Sequence, residues 1–338
     1  MNQVVALATD DLAAITTTAI RSLYTTGIFN FSTDQVQALT TGQVAALTTT
    51  QVLALGDTGV AALTTDQVKA LGSAQIKALN TSEVAALTTD QVGVLSTVQV
   101  AAITTSQISA IETGDLAAFS TTQIKTLGSA QVAALTTDQV AAIETDDLAA
   151  LTTAALVGLT TSGVQALTTD QIAALTTSQI AALKTSQIVA IETGDLAAMT
   201  TSEIKALGSA QVKVLTTDQV VALTTDQVGV LTSAQVAALT TSQVAAIETG
   251  DIAAFGSSQI ASLTSAQVAA LTTNQVAAIE TDDIDALTTA AIRGLTTDAV
   301  AALTTDQVGA LTSAQIVAMS TSQISAIETG DLAAFGTL

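Results

Sequence analysis

The chain contains no cysteine, histidine, tryptophan or proline in its 338 residues. Without cysteine there is no disulfide and no thiolate ligand, and without histidine no imidazole ligand for a metal. A cysteine-free chain says nothing about redox compartment by itself, but it is compatible with a secreted bacterial protein that folds without oxidation. Aromatic residues are only 2% of the whole, so any core must be thin and closely packed. Basic residues are scarce too: 8 Lys and Arg face 29 Asp and Glu, for a net charge of −21. That balance disfavours nucleic acid and anionic membrane surfaces as partners. Long apolar runs are missing. A cluster of Thr, Ser, Asp or Gln interrupts the chain every few residues, so nothing approaches the roughly 18–20 apolar residues of a membrane span. The start, Met1 to Asp11, has no basic segment and too short an apolar run for a signal peptide, which places any export signal elsewhere or outside this sequence.

What is present is a repeat. Every eighth residue from Leu7 to Phe335 is Leu, Ile, Met or Phe, giving 42 octads in one register without insertion or deletion. With this position called a, the unit reads close to Leu-Thr-Thr-Asp-Gln-Val-Ala-Ala. Position f is Val, Ile or Leu in every octad, from Val4 to Leu332. Position c is Thr or Ser in 41 of the 42, from Thr9 to Thr337, the exception being Asp57. Thr, Ser and Asp all carry a short side-chain oxygen suited to capping a helix start. Position c is therefore expected to be an N-cap, with Thr137 as an example, followed by acidic residues in the first turn and a helix from d through a. A cap at b is the other phase: Thr136-Thr137-Asp138-Gln139 then reads as a capping box with Leu135 and Val140 as its staple. The expectation goes to c, because b also holds Gly56, Gly72, Lys184, Glu112 and Tyr24. The glycines at b suit a helix end with positive φ.

One long helix is excluded by arithmetic. Eight residues at about 100° each leave a drift of about 80° per octad, so the apolar stripe would circle the helix and bury no constant face. A β-solenoid is the competing architecture, since Thr, Val and Ile favour strands. Against it, Val-Ala-Ala-Leu does not alternate, and Ala and Gln favour helix. The fold expected is all-α: a superhelical solenoid of very short helices, one per octad. Such helices are unstable alone and must lean on one another. Positions a, f and h are expected to face inward, and b, d, e and g to face water. Charge placement fits this: 27 of the 29 acidic residues occupy b, d or e, and seven of the eight basic ones occupy g.

The whole of 1–338 reads as one continuous array with no domain boundary. Residues 1–31, holding the only Tyr, are the most divergent and read as an N-terminal cap. A longer period of 136 residues, seventeen octads, links Ile111–Phe119 to Ile247–Phe255 and Ile143–Leu148 to Ile279–Ile284, as segmental duplication does. The last residues, Phe335 to Leu338, stop in mid-octad, which suggests an incomplete array or an end that docks on another copy.

No catalytic constellation is visible, because the groups that recur do not converge. The paired carboxylates Asp10-Asp11, Asp146-Asp147 and Asp282-Asp283 diverge by about 100° on a helix. The motif Glu-Thr-Gly/Asp-Asp supplies calcium candidates: Glu112, Asp115, Glu144, Asp147, Glu248 and Asp251. The plainer reading of that motif is a charged joint, with no cofactor. The near-regular Gln at e (Gln35, Gln43, Gln51, Gln67, Gln75) is either a neutral helix former or the source of amide ladders between stacked coils. Columns of Thr at b and c offer a flat face to ice or polysaccharide.

The repeating Leu-Thr-Thr-Asp-Gln-Val-Ala-Ala-Leu unit resembles the octapeptide-repeat regions of very large bacterial surface or type I-secreted proteins. The resemblance spans essentially the whole chain. It implies an extracellular or cell-surface location, a structural or adhesin-like role, and no catalytic residues. No carboxy-terminal secretion signature or calcium repeat accompanies it. The function expected is a stalk, spacer or filament subunit, self-associating head to tail, with no membrane insertion. The alternative is a binding module that turns a repeated face to polysaccharide, ice or calcium.

Overall fold

A computed structural model describes residues 6–331. Forty helices occupy these residues, with no strand among them. The helices are four to seven residues long, for instance Thr105–Ile108, Thr137–Ala141, Thr41–Ala46 and Gly56–Ala62. The all-α solenoid is thus the fold, and the β-solenoid is not. None of the described helices is long and apolar enough to cross a membrane.

Apart from Gly56–Ala62, which begins at b, each described helix begins at c, and the residue before it, at b, is extended. Thr136 has φ −71° and ψ 162°, and its side chain accepts the N–H of Gln139. The N-cap is therefore b, and the expectation for c is corrected: Thr137 is the first residue inside its helix. The helix runs from c to f, g or h, and the residue at a turns extended, as Leu47 does with ψ 140°. Of the described glycines at b, Gly56 has the positive φ expected and the others do not. Gly72, Gly128 and Gly208 are extended like any other b residue, and only Gly56 among the described residues has positive φ, at 65°.

Two compact units divide the chain, Met1–Leu175 and Thr176–Leu338, with the octad register running on through the division. Inside each unit a helix packs on the helices three octads before and after it. In the first unit Thr41–Ala46 packs on Thr17–Arg21 and on Thr65–Ala70. In the second, Ser233–Ala238 packs on Ser209–Val214.

The core of each unit is the f and a columns. Val140 is fully buried, and Leu135 and Ile143 nearly so. Each such side chain contributes about 1.5–3 kcal/mol relative to an exposed one, which is what stabilises helices too short to persist alone. The alanines at h are only half-buried, so h forms the shoulder of the core rather than its interior. Positions b, d and g face water as expected. Position e does not: Gln43, Gln139 and Gln243 are 1–2% exposed.

Two glycines mark where coils come closest. A Cβ on Gly158 would run into the carbonyl oxygen of Ser129, and one on Gly294 into that of Ser265. The two positions are one super-repeat apart, and in both octads e is alanine (Ala155, Ala291). A small residue at e and no side chain at h let the helices approach backbone to backbone.

Candidate functional site

The feature that recurs through both units is a clasp built on the buried glutamine at e. Gln139 is representative. Its N–H donates to Thr136 Oγ1 at 3.2 Å, and its Oε1 accepts the Thr136 N–H at 2.9 Å, which together make a capping box. Its Nε2 then donates to two carbonyls of an earlier coil, Ile108 at 2.9 Å and Ile111 at 2.7 Å. In the second unit Gln275 repeats this with Thr272, Val244 and Ile247. The partners lie 31 and 28 residues upstream at f and a, whereas helices pack three octads apart. One coil of the superhelix thus takes between three and four octads.

One glutamine here makes four such bonds, three through its side-chain amide and one through its backbone N–H, that burial would otherwise leave open. Each unpaired buried polar group would cost about 1–3 kcal/mol. The clasp also explains what b tolerates. Gln187 Oε1 accepts the backbone N–H of Lys184 at 2.8 Å, and Gln75 Oε1 that of Gly72 at 2.6 Å. Because e caps the backbone of b, the side chain at b is optional, which is why a varied b column misled the placement of the cap. Neither reading of the glutamines, neutral surface residue or amide ladder, describes them: they are buried and their amides reach main-chain carbonyls.

The calcium candidates sit where this clasp is rewritten. At Glu112–Asp115, Glu144–Asp147 and Glu248–Asp251 the b residue is Glu and the e residue is Asp. Glu112, Glu144 and Glu248 stand at extended N-cap positions and make no side-chain cap bond. Asp115, Asp147 and Asp251 are buried. Asp is one methylene shorter than Glu or Gln and has no amide. Asp115 accepts the hydroxyl of Thr89 at 2.6 Å, and Asp251 that of Thr225 at 2.7 Å. Among the described residues no three carboxylates converge into a metal-binding group.

Glu83 is a different departure. It is fully buried, and it stands at e where glutamine is usual. One carboxyl oxygen accepts the Asn80 N–H at 2.8 Å, and the other, Oε1, is the one buried side-chain polar atom among the described residues without a partner. Burial pushes the carboxyl above its ordinary value, opposed by the Asn80 N–H, reinforced by the Asp57 carboxylate, and opposed again by the Gly56 N–H. Asp57 accepts the hydroxyl of Ser82 at 2.5 Å. This site was not visible in the sequence, although Asp57 as the one break in the c column and Gly56 beside it marked the place.

The geometry is that of a repeat whose polar chemistry is turned inward, coil to coil. Overlapping segments at residues 4–49, 41–73, 60–97, 68–105, 108–142, 140–177, 188–225, 244–278 and 276–313 match the ALTTAQ repeat. No curated protein shows significant similarity to the chain. The match covers most of the sequence, and the chain belongs to the ALTTAQ repeat family.

Proposed function

We propose that the chain is a non-catalytic structural module, a stalk or spacer at the surface of a bacterial cell or outside it. The observation that carries this reading is the glutamine clasp. The same four-contact unit recurs in both units and consumes the polar groups of e in holding coil to coil, so adding octads adds length without adding new chemistry. The outward positions b and d carry most of the acidic residues, which keeps neighbouring copies apart. The extracellular placement rests on the resemblance to surface-protein octapeptides and on the cysteine-free composition.

Self-association of copies head to tail into a filament is the alternative. Negative-stain imaging of the full chain over a range of concentrations tests both points. Single elongated particles at every concentration are expected. Compact globules would sink the spacer, and fibres growing with concentration would replace it with the filament.

A further inference from the structure

We propose that the joint at Leu55–Gly56 is a proton-operated latch: protonated Glu83 closes the helix Thr81–Ala85 onto the joint, and ionised Glu83 loosens it. The register carries the argument. A glutamine at e donates to the carbonyls 31 and 28 residues upstream, which for position 83 are those of Val52 and Leu55. Glu83 has no N–H to give. A carboxylic acid restores one donor toward the Val52 side of the joint, while a carboxylate has none and is buried with one oxygen unpartnered.

The upstream side of the joint is altered as well. Leu55 has ψ −31°, whereas the same position in the next octad, Leu63, has ψ 137°. That rotation turns the Leu55–Gly56 peptide over, and Gly56 accommodates it with φ 65°. The N–H of Gly56 then takes the side on which other joints offer a carbonyl, and it helps the carboxyl to ionise. It does not complete the site, since Glu83 Oε1 stays unpartnered at full burial. Asp57, on the helix Gly56–Ala62 packed against Thr81–Ala85, is the one charged group facing the carboxyl from a neighbouring helix. The other helix packed there, Thr105–Ile108, has no charged residue, and Thr81–Ala85 has none besides Glu83.

The sign follows from linkage. Below the ordinary carboxylate range Glu83 is neutral in both folded and open chains, and the joint has its full stability. As pH rises from there through the raised folded value, the open state releases the proton first and stability is lost. Within that window the opening constant grows about tenfold per pH unit, as for any single proton.

Hydrogen exchange followed by mass spectrometry on the full chain, corrected for intrinsic rate, tests this across the acid to neutral range. Protection in residues 49–62 and 81–86 is expected to fall with rising pH while the helices Thr121–Ile124 and Thr137–Ala141 stay constant. Glu83→Gln is expected to abolish the slope, whatever its absolute stability. Asp57→Asn, which removes the facing charge, should end the loss at a lower pH and so shrink it. The same slope in the wild type and in Glu83→Gln overturns the latch. So does a loss spread evenly over all helices, or one whose size is unchanged by Asp57→Asn.

Discussion

Gly56 and Glu83 have counterparts one super-repeat on, Glu192 and Gln219, and the two joints are built in opposite senses. At the later joint Ile191 is extended, with ψ 129°, and Gln219 Nε2 donates to the carbonyls of Ile188 at 3.0 Å and Ile191 at 2.8 Å. At the earlier joint the peptide after Leu55 is turned over, and a carboxyl stands where the amide would be. The apolar frame is the same in both: Val52, Leu55, Ile188 and Ile191 are all buried. A duplicated stretch can thus change the polar half of a coil-to-coil contact through two residues while its core stays in place. The aliphatic columns set where coils lie, and the e residue sets which backbone group must face it.

The largest effects should be blind to this difference. Leu55→Ala and Ile191→Ala should each lose about 2–4 kcal/mol in urea denaturation, because both leave a cavity in the same column. A clear inequality between them would show that the turned-over peptide also changes the packing. Next in size, Gln219→Glu introduces a carboxyl opposite unrotated carbonyls. It should lose about 1–3 kcal/mol at neutral pH and recover most of that in acid, where the carboxylic acid donates again. Equal stability of this variant and the wild type at both pH values would mean that the amide is not the clasp. Smallest are the caps. Thr216→Ala and Asn80→Ala each remove the oxygen that accepts the N–H of residue 219 or 83, and each should cost about 1 kcal/mol. Thr217→Ala and Thr81→Ala, one residue later, should stay within about 0.5 kcal/mol. Similar losses at all four would return the cap to c.

Much of the fold was legible because it depends on local pattern. The eight-residue period ruled out one helix, and the Thr-Thr pairs marked where each short helix restarts. The buried a and f columns also followed from the sequence, through the absence of charge. The error at e came from treating Gln as a surface residue by type. Gln139 is buried because its donors and acceptors all find partners, two of them in a coil some 28–31 residues away. Hydropathy cannot register that, since it scores a residue without its partners. The cap was misplaced for a related reason: Lys184 and Gly72 look wrong at an N-cap until Gln187 and Gln75 are seen to cap their backbone N–H groups. At the acidic joints the sequence located Glu112 and Asp115. The hydroxyl of Thr89 that meets Asp115 lies three octads away, and no local motif announces it.

By itself the sequence determined that this chain is an array of brief helices with an aliphatic inside and an acidic outside. Periodicity and propensity act over a few residues and need no knowledge of the next coil. Only the tertiary structure decided the length of a coil, the burial of the glutamines and the reversal at Gly56. Each of these depends on which backbone groups come to face one another across about 30 residues of chain, and on the cost of leaving any of them unpaired.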